Sequence, residues 1–345
     1  MPDTANGPLV RTEPVLSEKP DTVGALPGKR AFSIGTFASL RHRGYLYLWI
    51  GILFTSAGVW MEQVAISWLI YEMTGSPFML GAVNGMRALP FLFLGPPAGV
   101  AADRLHPKSL MLWSQVVILG LYVFLVVLLA LGILEVWHLF VFTIGSSAAW
   151  SFNQPVRQAI VPSLVPREDI MNAVALQSVG FNVTRIVGPG IGGVLMATVG
   201  GAWTFLLITV VWIGVIVTTY LIPLTAASIP RQKTSNAWQD LVEGLRYIRT
   251  DRVVLGLLFL ALVPLVFAMP YMSLLPIFAA EVFEMDARGL GELLTATGVG
   301  AIISTLVVAS LGSYKGKGTL LVGSGAGLGV SLVLFAVSTY YPFSL

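Results

Sequence analysis

Three charged side chains stand where the surrounding sequence is almost wholly apolar: Glu62, Arg87 and Arg185. A charge at the centre of a bilayer costs at least about 2.5 kcal/mol, so residues of this kind mark a function or a pairing. A carboxylate and a guanidinium can neutralise each other, and a carboxylate in a site that dries can take up a proton. Glu62 lies about eight residues before the end of its apolar stretch, and Arg87 about nine residues into the next stretch from that same end. A Glu62–Arg87 pair is therefore expected, with Arg185 near mid-membrane. Whether such a pair only fixes helix packing or also carries protons stays open. Asn84, Gln115, Asn153, Gln154, Gln177 and Asn182 are uncharged polar groups in the same kind of surroundings. They can line a watery path or hydrogen-bond between helices. Nothing points to an enzyme. There is no cysteine, no His-x-x-x-His and no Gly-x-Ser-x-Gly, and His42, His106 and His138 fall at the ends of apolar stretches or in connections. No metal site, cofactor or nucleic-acid partner is expected.

The elements that must hold these side chains follow from composition. Of the 345 residues, 56% are hydrophobic and 11% charged, against about 25% charged in soluble domains. One soluble core cannot bury that excess, so lipid must solvate it. About 20 apolar residues are needed to cross the hydrocarbon layer. Nine stretches qualify: about 45–70, 78–101, 109–131, 136–156, 171–197, 202–222, 253–279, 290–312 and 319–338. Backbone in lipid must satisfy itself, so these are helices. Basic residues set the orientation. The N-terminal segment, the connections after stretches 2, 4, 6 and 8, and their flanks hold 17 of the 20 Lys and Arg, Arg157 among them. This places the N-terminus in the cytoplasm. Residues 1–40 are polar and proline-bearing, without a signal-peptide core, and read as a disordered tail. Residues 223–252 read as a cytoplasmic linker. Within it Trp238, Leu241, Val242, Leu245 and Ile248 recur at helical spacing, and Asn236 with Gln239 suits a helix start.

Two segments carry denser patterns. Between stretches 2 and 3 the chain reads Gly99-Val-Ala-Ala-Asp103-Arg104-Leu-His-Pro-Lys108, with a glycine suited to close helix approach, a carboxylate suited to capping or pairing, and two cytoplasmic cations. The fifth stretch holds Arg185-Ile-Val-Gly188-Pro189-Gly190-Ile-Gly192-Gly193. Ser178, Asn182, Arg185, Pro189 and Gly192 fall on one helical stripe, which should face protein or water rather than lipid.

On these motifs the chain resembles the major facilitator superfamily, and within it the bacterial branch of macrolide-efflux and enterobactin-exporter-like proteins. Gly99, Asp103, Arg104 and Lys108 match that superfamily's motif between helices 2 and 3. Gly188, Pro189, Gly192 and Gly193 match its helix 5 antiporter-type motif. Arg87-Ala-Leu-Pro90, Pro155 to Pro162 and Trp238 to Tyr247 have the look of the branch. The resemblance runs from about residue 40 to the end. It implies an all-α integral membrane bundle with a six-helix N-terminal half (41–222), an incomplete C-terminal half (253–345) and a central cavity. It implies alternating access, with Asp103 and Arg104 at a cytoplasmic gate, and export of amphipathic drug- or siderophore-class molecules from a bacterial inner membrane by a monomer.

Three departures bear on this. The fourth stretch lacks the arginine motif of many drug–proton antiporters between Val136 and Pro155, which leaves proton coupling open. The second-half counterpart of the gate is degenerate, at Gly312-Ser-Tyr-Lys315-Gly-Lys317. The family has twelve helices, and the sequence ends after the ninth expected one, at Tyr341-Pro-Phe-Ser-Leu345. A truncated product or a sequence fragment is expected on that ground, which keeps an inactive remnant open beside the exporter. A metabolite carrier working by uptake or facilitated diffusion is a separate alternative.

Overall fold

The computed structural model describes residues 34–223, 246, 248–250, 252–263, 270–310 and 316–345, with the Asp103 side chain among those left outside. The tail before residue 34, the Trp238–Leu245 face of the linker and Gly312–Lys315 also lie outside the described residues. Among the described residues every regular element is a helix. After a 3-10 segment at Ile34–Arg41 come α1 (Arg43–Thr74), the two-part α2 (Pro77–Met86 and Ala88–Arg104), α3 (Pro107–Leu131) and α4 (Val136–Ala159). The continuous run Ile170–Leu221 is two helices, α5 and α6, meeting at Gly200. Then follow α7 (Arg252–Val263 and Tyr271–Ile277), α8 (Ala287–Ser310) and α9 (Lys317–Val337).

These nine occupy the nine expected stretches. Six helical runs are long and apolar enough to cross a membrane on those grounds alone, and the one at Arg167–Leu221 contains both α5 and α6. α4 falls short because its later half carries Ser146, Ser147, Ser151, Asn153, Gln154 and Arg157. α7 is described only in two pieces.

Backbone chemistry sets the reversals. Gly200 has φ +79° and ψ 177°, a conformation that side chains forbid, and it turns α5 back into α6. Gly75 closes α1 in the left-handed conformation, with its N–H on the Tyr71 carbonyl. These turns share one face of the bundle, here the upper face. His42, Leu105–His106 and Val165–Asp169 lie on the opposite, lower face.

Helix packing is led by α1 against α5 and α6, with α3 against α4 and α6, the later part of α2 against α4, and α8 against α5. At the lower face α1 is stitched to α5. The Tyr45 hydroxyl donates to the Ala173 carbonyl at 2.7 Å, Trp49 Nε1 to the Leu176 carbonyl at 2.9 Å, and His42 Nε2 lies 2.9 Å from Asp169 Oδ2. The main core gathers Tyr122, Phe142, Phe205 and Trp212 with aliphatic residues of α1 and α8. Burial is uneven in α8. Leu290, Leu293 and Leu294 are enclosed, whereas Ile303, Leu306 and Val307 near its lower end are exposed. No residue of α9 from 318 to 337 is buried.

Candidate functional site

Glu62 sits on α1 facing into the bundle, 7% exposed. Arg87 stands where α2 tightens to a turn, its backbone still helical at φ −59° and ψ −31° and its N–H on the Asn84 carbonyl at 3.2 Å. Three residues on, Pro90 has no N–H to give the Met86 carbonyl. From this turn Arg87 donates Nη2 to Glu62 Oε1 at 2.8 Å and Nη1 to Gln63 Oε1 at 3.2 Å. The other carboxylate oxygen accepts from the Tyr122 hydroxyl of α3. Tyr122 is held in turn by Phe142, edge-on at 5.1 Å, and by Trp212 at 5.8 Å. Beside the ion pair lies a cavity of about 210 Å³ whose walls include Glu62, Arg87, Phe91, Ser147, Trp150 and Trp212.

Arg185 is not part of that cluster. It lies on α5, with Cζ 5.6 Å from the centre of the Trp60 ring. Just above it the glycine motif is pressed between two helices. A Cβ on Gly188 would come 2.7 Å from Trp60 Cβ, and one on Gly192 3.0 Å from Met61 Cα, so this edge meets α1. A Cβ on Gly193 would come 2.6 Å from the Ala287 carbonyl oxygen, so the other edge meets α8. α8 answers with its own small residues. A Cβ on Gly291 would come 2.7 Å from the Pro189 carbonyl, and one on Gly298 3.0 Å from the Arg185 carbonyl. Pro189 cannot donate to the Arg185 carbonyl, so that oxygen is free of its helical bond where the Gly298 backbone approaches. Thr295 of α8 completes the seam, donating to the Ile186 carbonyl at 2.9 Å. Gly291, Thr295 and Gly298 stand at i, i+4 and i+7 of α8, and the sequence reading passed over them.

The Gly99–Lys108 segment is arranged otherwise. It was expected as a loop, but α2 stays helical through Arg104, and only Leu105 and His106 break before Pro107 opens α3. The apolar run before it carries the helix to its charged end. A Cβ on Gly99 would meet nothing within 4 Å, so this glycine is not at a close approach. Arg104 is exposed. Lys108 donates to the Ile222 carbonyl at 2.8 Å and lies over the Tyr220 ring at 5.2 Å. A cation thus caps the carbonyl end of α6, where orphan acceptors and the helix dipole favour it.

The remaining polar groups divide by partner. Asn84 and Asn182 each donate back within their own helix, to the Leu80 and Ser178 carbonyls at 2.9 and 2.8 Å. Asn153 is fully buried and donates to the Ser114 hydroxyl at 2.9 Å, tying α4 to α3. Gln154 is half-buried. Arg157, expected in a cytoplasmic loop, is instead enclosed in α4. It donates to the Thr55 hydroxyl at 2.9 Å and lies over the Trp150 ring at 5.1 Å. Pro155 suggested the helix end, yet the helix runs on to Ala159. Tyr122 gave no sequence signal beyond its place in an apolar helix.

Residues 34–342 match the family model described as transmembrane secretion effector. The chain is 28% identical over 85% of its length to an uncharacterized MFS-type transporter of Bacillus subtilis, covering 74% of that protein. It is 23% identical to macrolide efflux protein A of Streptococcus pyogenes, over 83% of this chain and 71% of that one. It is 29% identical to the enterobactin exporter of Shigella boydii, over 79% of this chain and 65% of that one. Among solved structures, an inward-facing bacterial homologue of the human lysosomal transporter Spinster superposes with a TM-score of 0.58 at 17% identity, over 80% of this chain and 63% of that one. That likeness is one of fold.

Proposed function

This chain belongs to the transmembrane secretion effector family of the major facilitator superfamily, and from that premise we propose that it works as a secondary active exporter of small amphipathic molecules by alternating access. The observation that carries the reading is the contrast along α5 and α8. Their upper halves are in close backbone approach through Gly193 and Gly291, while Ile303, Leu306 and Val307 in the lower half of α8 are exposed. Contact between two helices of the halves at one end only is what one of the two states of alternating access requires.

The lower face, with its basic residues, is the cytoplasmic one in this reading, and the membrane is the bacterial inner membrane. The six helices from α1 to α6 form one half of the carrier, and α7 to α9 belong to the other. Glu62, Arg87 and Tyr122 form the coupling group. Protonation of Glu62 loosens Arg87 from α1 and frees helix α2 to move. Ser146 and Ser147 line the path beside it, and Asp103 with Arg104 closes the lower face in the opposite state. The drug and siderophore classes come from what the relatives are named for.

Inside-out vesicles bearing this chain, given a proton gradient, test the proposal with a macrolide, enterobactin and staphyloferrin A as cargo. An exporter loads such vesicles, and collapse of the gradient stops loading. Loading confined to right-side-out vesicles would make it an uptake carrier, and loading of neither would remove transport by this chain. Glu62→Gln is expected to abolish the dependence on the gradient. A Glu62→Gln variant that kept that dependence would take the coupling role from Glu62.

A further inference from the structure

Among the described residues three guanidiniums are buried or half-buried in the bundle, and they are not treated alike. Arg87 has the Glu62 carboxylate. Arg157 and Arg185 have no acidic partner: the two ion pairs among the described residues are His42–Asp169 and Arg87–Glu62. Both instead lie over indole rings, Arg157 on Trp150 and Arg185 on Trp60, and the Nε of each finds no acceptor among the described residues. The two differ in access. Arg157 is 9% exposed and spends one donor on Thr55. Arg185 is half-buried, with its Nε enclosed and without an acceptor.

An unpaired cation in a membrane is costly and marks a ligand or ion path. With its Nε enclosed, Arg185 offers a ligand the edge made by its two Nη groups. That edge is a planar fork of N–H donors, which matches a carboxylate, sulfonate or phosphate in two parallel bonds. Apolar surface lies next to this fork. Phe181, one turn before Arg185 on the same side of α5, is 46% exposed, with its ring 6.0 Å from that of Trp60. Tyr271 of α7 is within electrostatic reach of the same guanidinium. A ligand filling this place needs an anionic end for Arg185 and an aromatic or aliphatic body for Phe181 and Trp60.

We infer that the molecules this carrier takes are amphipathic organic anions, with Arg185 gripping the anionic group at the junction of α1, α5 and α8. The inference rests on the transport function proposed above and deepens it. Position explains why the grip matters for transport. The Arg185 carbonyl is the atom that the Gly298 backbone touches, and the Ile186 carbonyl takes the Thr295 hydroxyl. A ligand pulling on the Arg185 side chain therefore acts at the lower edge of the seam that must part when the carrier inverts. Arg157, enclosed deeper in α4, adds positive potential without touching the ligand.

The test compares three molecules with one skeleton and different charge: 4-phenylbutyrate, 4-phenylbutanol and 4-phenylbutylamine. Binding to the purified full chain in detergent is measured by isothermal titration at pH 7. The acid is expected to bind at least tenfold more tightly than the amine, with the alcohol between. Arg185→Gln is expected to bring the acid down to the alcohol, and Arg185→Lys to keep part of the preference. Equal binding of acid and amine, or no measurable binding of any of the three, overturns the inference on the unaltered chain, with no variant needed. An Arg185→Gln chain that keeps its melting temperature and its acid preference overturns the role of Arg185. None of these outcomes bears on whether vesicles load, so a charge-blind carrier and a chain that does not transport are told apart.

Discussion

The two glycine-bearing motifs of this chain use the same residue type to opposite ends. On α5, Gly192 and Gly193 lie against the backbones of α1 and α8 and Gly188 against Trp60 Cβ, and an added Cβ would crowd its neighbour at each. On α2, Gly99 looks onto open space, and Arg104 beside it is exposed. The difference divides the bundle by height. Towards the upper face the helices are locked by backbone contact, and at mid-depth by a carboxylate with both oxygens engaged. The lower end of α8 is exposed at Ile303, Leu306 and Val307. A motif in contact is holding the present state, and a motif without contact is free for another one. Sequence alone cannot separate these cases, because a glycine that permits an approach is written the same way whether or not the approach has been made.

The comparison can be broken first at mid-depth. Arg87→Met leaves Glu62 enclosed without its cation, and an uncompensated buried charge costs about 3–5 kcal/mol. The variant should melt well below the parent in detergent, and adding Glu62→Gln should recover much of the loss. If Arg87→Met alone melts like the parent, the ion pair does not lock this region. The next effect in size is at the seam. Gly193→Ala drives a Cβ to within 2.6 Å of the Ala287 carbonyl, and overpacking of this kind costs about 1–3 kcal/mol. Cysteine labelling from the upper side should rise at positions lining the α5–α8 contact, and vesicle loading should fall. Labelling that does not change would mean that the seam is not what closes the upper face.

How far the sequence shows these features depends on what kind of constraint produces them. The helices are legible, since lipid demands a long apolar run for each crossing. α4 was found by its flanks and length even though its serines and Arg157 make it the least apolar. Glu62 with Arg87 is legible too, because charges in such runs are rare and matching depth brings neighbours together. Tyr122 is not, as one hydroxyl among apolar residues carries no mark of the carboxylate it meets. Arg157 was misplaced because a charge next to Pro155 suits a helix end equally well. The seam was seen from one side only. The crowding on α5 shows as a run of glycines, but Gly291, Thr295 and Gly298 are spaced like ordinary small residues until their partner is known.

A smaller effect comes from the lower face. Lys108→Ala removes the cation from the Ile222 carbonyl at the end of α6, where such caps contribute about 0.3–1 kcal/mol. The melting temperature should drop slightly, with Lys108→Arg close to the parent. A drop as large as that of Arg87→Met would show that the lower face is locked as firmly as the rest.

The smallest change in stability, and the sharpest use of the comparison, is Gly99→Ala. The added methyl meets nothing within 4 Å, and alanine is favoured over glycine inside a helix by up to about 1 kcal/mol. The variant should therefore be as stable as the parent or somewhat more so. Its transport should behave differently. If the lower ends of the helices close when the upper seam opens, Gly99 comes to need the space that Gly193 needs now, and the methyl stands in the way. Loading of inside-out vesicles should fall severalfold while the melting temperature holds or rises. A variant both stable and fully active would mean that the lower face closes without a backbone approach at Gly99, so the likeness of the two motifs would end at their composition.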